Sequence, residues 1–188
     1  MFFNLPTLLT WARIVAIPLI VGVFQLSLGE ADRNLIATVL FVVVALTDWA
    51  DGYLARRLNK TSSFGAFLDP VADKFLVCAA LLVLVELDRV QSLVALVIIG
   101  REIAISALRE WMAQIGASRS VAVHMLGKVK TVVQMIAIPF LLFHGTLFGV
   151  IDTQQWGTVL IYASAVLTIW SMVYYLKKAL PEIRAKVR

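Results

Sequence analysis

Six apolar stretches divide this chain, and each is close to the roughly 20 residues that a helix needs to cross a bilayer. Their positions predict helices over 6–28, 33–58, 64–87, 91–113, 121–143 and 155–177. Hydrophobic residues make up 61% of the chain, whereas soluble domains are nearer to half apolar. The connections are short and no internal repeat is visible. We therefore predict an all-α, polytopic membrane protein with six transmembrane helices in a single domain, 1–188.

The basic residues indicate how such a bundle would be oriented. Lys and Arg are concentrated in the loop after the second helix, in the loop after the fourth and in the C-terminal tail, whereas the opposite loops offer only Arg33 and Arg89. Because Lys and Arg favour the cytoplasmic side, we expect those loops and both termini in the cytoplasm. The net charge of +5 then indicates a lipid bilayer and anionic substrates as partners, and no nucleic acid.

Ionisable residues occur at one depth of the predicted bundle. With alternating helix directions, the charged halves of the first five helices all lie in the cytoplasmic leaflet, and the sixth helix carries no charge in its middle. Charged side chains at membrane depth are costly, and they usually line a substrate or ion path. We therefore expect a polar cavity that opens to the cytoplasm and is closed by an apolar outer half.

Four aspartates form the clearest candidate site. Asp48 and Asp51 are three residues apart on the second helix, and Asp69 and Asp73 are four apart on the third, so each pair shares one helix face. Sequential helices joined by a short loop are expected to be antiparallel neighbours, which would let the two faces converge. Four carboxylates can hold two hard divalent cations such as Mg²⁺, Mn²⁺ or Ca²⁺. Salt bridges to nearby basic residues are the alternative, which the cost of intramembrane charge makes less favourable.

A second cluster is basic and consists of Arg101, Arg109, Lys128 and Lys130, with Arg13 as a further candidate. Arginine forks suit phosphate oxygens, so a metal site beside a cationic pocket indicates two anionic substrates. The alternative is that these side chains extend to the lipid headgroups. That alternative suits Arg101 poorly, because more apolar helix follows it.

The acidic motif resembles the CDP-alcohol phosphotransferase family. It reads DWADGYLAR from Asp48 to Arg56, then Gly65, Asp69 and Asp73 after gaps of eight, three and three residues. All eight positions of the family motif are filled: Asp48, Asp51, Gly52, Ala55, Arg56, Gly65, Asp69 and Asp73. The segments NLPTLLTWARIVAIP, GREIAISALREWMAQIG and GKVKTVVQM are similar to bacterial members, so the likeness extends over nearly the whole chain.

The resemblance implies a dimeric six-helix fold in the bacterial inner membrane with a site facing the cytoplasm. It implies that the four aspartates hold two ions, Mg²⁺ or Mn²⁺, and that Asp73 is the general base. The CDP group would be lined by Gly52, Ala55, Arg56 and Gly65. The phosphate of the acceptor would be bound by Arg101, Arg109, Lys128 and Lys130, with Thr10 and Arg13 nearby.

The implied reaction transfers the phosphatidyl group of CDP-diacylglycerol to sn-glycerol 3-phosphate, and CMP leaves. The basic cluster favours an anionic acceptor but does not separate glycerol 3-phosphate from inositol phosphate. Serine and phosphatidylglycerol are other acceptors of the same chemistry. A divalent-cation transporter is the rival class, although transporters place their sites near the midplane and often contain inverted repeats.

Overall fold

Six helices account for almost all of the described chain, so the predicted all-α class is confirmed. The computed structural model describes residues 5–58, 63–116 and 125–186, and at 5–9, 48–58, 63–67, 69, 125–126, 128 and 185–186 it describes the backbone alone. The helices are α1 (Leu5–Val23), α2 (Glu30–Leu58), α3 (Ser63–Glu86), α4 (Ser92–Gln114), α5 (Met125–Phe143) and α6 (Thr153–Lys186).

Two described helix ends differ from the prediction by more than three residues. Helix α1 ends at Val23 rather than 28, because tight turns follow in which the amides of Phe24 and Gln25 bond to carbonyls three residues earlier. Helix α6 continues to Lys186 instead of ending at 177, because its polar tail is rich in good helix formers. The predicted start of α5 at 121 lies outside the described residues.

A small hairpin between α5 and α6 was not predicted. Strand β1 (Thr146–Leu147) pairs antiparallel with β2 (Ile151–Asp152), and two residues of the connecting turn have positive φ, 53° at Phe148 and 70° at Gly149. The Thr153 hydroxyl closes the loop by donating to the carbonyl of Gly145 over 2.8 Å. Strands of two residues are too short for an alternating pattern to reveal them.

Helix α6 packs against α5 and α4, while α1 packs against both α2 and α3. The main core joins apolar residues of all six helices, including Ile17, Phe41 and Leu81. A smaller cluster joins α4 to the C-terminal part of α6 through Ile105, Met112, Tyr175 and Ala179. The predicted approach of the acidic faces of α2 and α3 falls on side chains outside the described set, so it stays a prediction.

Arg89 connects three elements at the end of α3. Its guanidinium donates to the carbonyls of Leu141 and Leu142, over 3.1 and 2.9 Å, and to Asn34 Oδ1 over 2.9 Å. It also contacts Glu30 Oε1 at 3.2 Å. The two carbonyls belong to the last turn of α5 and have no partner within that helix, so Arg89 caps α5 and ties it to the start of α2.

The outer surface is unusually apolar. Leu82, Leu93 and Val166 are each more than 60% exposed, and Phe148 is 88% exposed. Within the described residues, one helix segment, Thr153–Arg184, is long and apolar enough by itself to cross a bilayer, with a mean hydropathy of 1.7. The six transmembrane spans therefore stay a prediction at this point.

Candidate functional site

The predicted aspartates lie on helical backbone, as the spacing required. Asp48 and Asp51 belong to α2, and Asp69 and Asp73 belong to α3. Each pair therefore shares a helix face. The side chains of Asp48, Asp51 and Asp69 lie outside what the structure describes, so Asp73 represents the set in the geometry below.

Asp73 forms an ion pair with α1. Its Oδ1 accepts a hydrogen bond from Arg13 Nη1 over 3.1 Å, although the two residues are 60 positions apart. The side chain of Arg13 is 2% exposed and that of Asp73 is 44% exposed. The arginine therefore holds the carboxylate from the protein side, while the carboxylate keeps an open side.

That open side faces a small cavity between α3, α4 and α5. The cavity has a volume of about 140 Å³, roughly ten times the space that a single water requires. Its polar lining is supplied by Asp73, Lys74, Glu102, Lys130, Thr131 and Gln134. A carboxylate and an ammonium thus face the same space, which suits a small ligand with a hydroxyl and an anionic group.

Glu102 links two of the predicted basic residues. Its Oε1 accepts from Lys130 Nζ of α5 and from Arg101 Nη1, the latter over 3.3 Å. Lys130 and Arg101 are only 2% and 7% exposed. Because an unpaired buried cation is costly, this carboxylate is what allows two cations to stand together beneath the cavity.

Arg109 belongs to the same cluster through an aromatic residue of α6. Its guanidinium carbon lies 5.3 Å from the ring centre of Tyr175, and that of Arg101 lies 5.8 Å from the same ring. Arg109 Nη2 also donates to the Tyr175 hydroxyl over 3.4 Å. The structure therefore brings together three of the four residues predicted to bind the acceptor phosphate.

The remaining predicted residues are placed as follows. Thr10 is buried on α1, one turn before Arg13. Lys128 and the four residues predicted to line the CDP group lie on helical backbone, with side chains outside the described set: Gly52, Ala55, Arg56 and Gly65.

Sequence reasoning missed three residues of this site: Glu102, Ser171 and Tyr175. Glu102 carried a usable signal, since a carboxylate directly after Arg101 at membrane depth needs a cationic partner. The other two lie on α6, in a row of polar residues four, three and four positions apart: Ser164, Thr168, Ser171 and Tyr175. That period is helical and would have indicated a polar face on an apolar helix.

The donor chemistry fits a hard divalent cation. All four predicted ligands are carboxylates on helical backbone, and oxygen donors of this kind are what Mg²⁺ and Mn²⁺ prefer. Among the residues with described side chains, no group of three His, Cys, Asp or Glu residues could hold a metal, since Asp73 alone of the predicted set is included. The metal site thus stays a prediction that the donor set supports.

Comparison with known proteins adds an independent line of argument. The sequence profile of the CDP-alcohol phosphatidyltransferase family matches residues 3–170. The chain is 47% identical over 181 residues to a CDP-diacylglycerol–glycerol-3-phosphate 3-phosphatidyltransferase of Salmonella choleraesuis, covering 95% of this chain and 96% of that protein. It is 48% identical to the protein of the same name from Escherichia coli K12, with the same coverage. The chain belongs to the CDP-alcohol phosphatidyltransferase family.

Proposed function

We propose that this protein transfers the phosphatidyl group of CDP-diacylglycerol to sn-glycerol 3-phosphate, with phosphatidylglycerophosphate and CMP as products. The observation that carries the proposal is the cavity in which Asp73 faces a buried cationic cluster. A carboxylate can accept the proton of an attacking hydroxyl, and the cations can hold a phosphate. The names of the similar proteins support the same donor and acceptor.

Asp48, Asp51, Asp69 and Asp73 would hold two divalent ions, Mg²⁺ or Mn²⁺. Bound there, the ions would offset negative charge on the pyrophosphate of the donor. The CDP group would be lined by Gly52, Ala55, Arg56 and Gly65. The three small residues leave room for the ligand against the backbone, and the arginine offers hydrogen-bond donors.

The chemical step is one displacement at phosphorus. Asp73 takes the proton from the C1 hydroxyl of glycerol 3-phosphate, and the oxygen attacks the phosphorus that carries diacylglycerol. The bond from that phosphorus to the bridging oxygen breaks, and CMP leaves with the electron pair. Arg13 holds the Asp73 carboxylate in place through the 3.1 Å contact. No covalent enzyme intermediate is required.

The acceptor phosphate would be bound by Arg101, Arg109, Lys128 and Lys130, with Thr10 and Arg13 nearby. Buried cations hold a dianion more strongly than exposed ones, because water competes less. The low exposure of Arg101 and Lys130 therefore supports an anionic acceptor over serine or free inositol.

We further propose that the six helices span the bacterial inner membrane as a homodimer, with both termini in the cytoplasm. The exposed large apolar side chains support a lipid-facing surface, since soluble monomers rarely expose so many. The charged cluster inside the bundle supports the same assignment, because polar groups in membrane proteins face the interior.

The test is CMP release by purified protein in detergent with CDP-diacylglycerol and Mg²⁺. Glycerol 3-phosphate, inositol phosphate, inositol, serine and phosphatidylglycerol are offered separately. We expect metal-dependent release that is selective for glycerol 3-phosphate. Selective release with another acceptor would contradict the acceptor assignment. Absence of release with all five would contradict the enzyme class and make cation flux in liposomes the next measurement.

One variant pair sharpens this experiment. Lys130→Met removes a cation from the cavity while keeping much of the side-chain length. We expect the KM for glycerol 3-phosphate to rise at least tenfold, because a charge-assisted bond to phosphate is lost. Lys178→Met is the matched control, since Lys178 is exposed and its ammonium lies over the Tyr174 ring at 4.9 Å.

A further inference from the structure

Helix α6 carries a buried polar row that the proposed mechanism does not use. Ser164, Thr168, Ser171 and Tyr175 are all at most 1% exposed. They share one face of α6, which packs against α4 and α5. A polar face inside an apolar bundle is costly unless it meets polar partners, so its contacts indicate what it serves.

The C-terminal part of this row, Ser171 and Tyr175, contacts the two arginines of α4. The Tyr175 ring lies beneath both guanidinium groups, at 5.8 Å from Arg101 and 5.3 Å from Arg109. Its hydroxyl accepts from Arg109 Nη2. Ser171 Oγ accepts from Arg101 Nη2 over 3.0 Å and donates to the carbonyl of Thr168. Tyr175 thus contacts both cations.

Tyr175 also approaches α5, the helix of Lys130. A Cβ at Gly127 would lie 3.3 Å from the Tyr175 hydroxyl oxygen, so the glycine leaves room for this hydroxyl. The ring is therefore confined between α4 and α5, and its position follows theirs. Lys130 is held in turn by Glu102, which also contacts Arg101.

Fixing long basic side chains before a ligand arrives has a clear energetic effect. A free arginine side chain loses rotamer entropy when it is immobilised, and a site that is already ordered avoids that loss on binding. The aromatic face attracts each guanidinium without neutralising it, unlike a carboxylate. The contact with Tyr175 therefore leaves the charge of both arginines available to an anion, while Arg101 also shares Glu102 with Lys130.

We propose that Tyr175 is a positioning residue that preorganises Arg101 and Arg109 for the acceptor's phosphate, and thereby sets the affinity for a phosphorylated acceptor. This inference rests on the proposed function, in which those arginines bind that phosphate. Tyr175 touches neither substrate, so its influence acts through the two guanidinium groups.

The test compares Tyr175→Phe, which removes the hydroxyl and keeps the ring, with Tyr174→Phe, which removes the neighbouring hydroxyl. For Tyr175→Phe we expect the KM for glycerol 3-phosphate to rise about five- to tenfold, as the loss of a hydrogen bond to a charged group does. The kcat and the KM for CDP-diacylglycerol should change less than twofold. Tyr175→Leu, which also removes the ring, should raise the acceptor KM further.

Inorganic phosphate supplies a probe that does not depend on the acceptor. Phosphate should compete with the acceptor for the arginine pair. Its inhibition constant should rise by a similar factor in Tyr175→Phe and stay the same in Tyr174→Phe. An acceptor KM and phosphate inhibition that match wild type in Tyr175→Phe would overturn the inference. A fall in kcat that is the same at every substrate concentration and comes with a lower unfolding temperature would mark a purely structural role, and it would also overturn the inference.

Failure of the proposed function gives a different pattern. Wild-type protein that releases CMP with another acceptor, and not with glycerol 3-phosphate, contradicts the proposed acceptor directly. In that case the inference is decided by comparing how strongly phosphate inhibits Tyr175→Phe and Tyr174→Phe. Weaker inhibition of Tyr175→Phe alone supports it, and equal inhibition of both overturns it.

Discussion

At the residue scale, the buried cations of this protein are held by carboxylates. Arg13 contacts Asp73, and Arg101 and Lys130 both contact Glu102. Removing one partner of a buried pair leaves an uncompensated charge, which typically costs about 3–5 kcal/mol. The site therefore contains two groups of charged partners that line one cavity, and its stability and its chemistry depend on the same residues.

Asp73→Asn tests the carboxylate of the first pair. The amide can still accept from Arg13, but it cannot take a proton, so kcat should fall by about 10²–10⁴ while the protein remains folded. The measurements are CMP release and thermal unfolding in detergent. A rate close to wild type would remove Asp73 from the role of base.

Asp88→Asn is the matched control for that substitution. Asp88 is exposed in the turn after α3 and has a φ of 56°, a conformation that asparagine adopts as readily as aspartate. Asp73 lies in α3 and Asp88 in the turn directly after it, so each variant loses one carboxylate from this part of the chain. We expect Asp88→Asn to keep the wild-type rate and unfolding temperature.

At the element scale, the sequence specified the helices and left most of their packing partners open. The apolar runs predicted six helices, and six are present in the described residues. The hairpin before α6 and the extension of α6 were missed. Periodicity reports which face of a helix is polar, but it does not report which helix that face meets.

The contact between α5 and α6 is close at one glycine. A Cβ at Gly157 would lie 2.8 Å from Leu141 Cγ and 3.1 Å from the Leu141 amide nitrogen. Gly157→Ala should therefore overpack this contact by about 1–3 kcal/mol, against at most about 1 kcal/mol gained in helix propensity. We expect a lower unfolding temperature by circular dichroism in detergent.

Gly100→Ala provides the comparison, because nothing lies within 4 Å of a Cβ there. The same helix-propensity gain should then appear without the steric cost, so the unfolding temperature should stay equal or rise. If Gly157→Ala were as stable as Gly100→Ala, the close approach of α5 and α6 would be disproved.

Arg89→Ala tests the cap at the other end of α5. The carbonyls of Leu141 and Leu142 lose their donor, which should destabilise the fold by on the order of 2 kcal/mol. The acceptor KM of the folded protein should not change, since Arg89 caps the end of α5 away from Lys130 and its hydrogen-bond partners among the described residues include no site residue. Arg184→Ala, on the exposed tail, should leave both quantities unchanged. A raised KM in Arg89→Ala would contradict a structural role.

At the scale of the whole molecule, the protein has a surface rich in exposed apolar side chains and an interior that contains a charged cluster. This is the arrangement expected where lipid surrounds the bundle and the polar groups face inward. The orientation proposed above places the site at the cytoplasmic surface, where a soluble acceptor and a lipid donor can both reach it.

Cysteine labelling tests that orientation. Cys78 is the single cysteine, so Cys78→Ser provides a background free of thiols. Gln91→Cys, before α4, should react with a membrane-impermeant maleimide on intact spheroplasts. Glu182→Cys, near the end of α6, should react only after the membrane is permeabilised. The reverse pattern would invert the proposed topology, and labelling of both from outside would contradict it.

The sequence by itself determined the helical class, the spacing of the acidic pairs and the family, because each depends on residues close together along the chain. The tertiary structure decided the pairing of Arg13 with Asp73, the bridge from Glu102 to Lys130 and the position of Tyr175 beneath two arginines. The partners in these contacts are separated by 28 to 74 positions. Helical period fixes the face on which a side chain lies, whereas only packing among helices decides which distant side chain it meets.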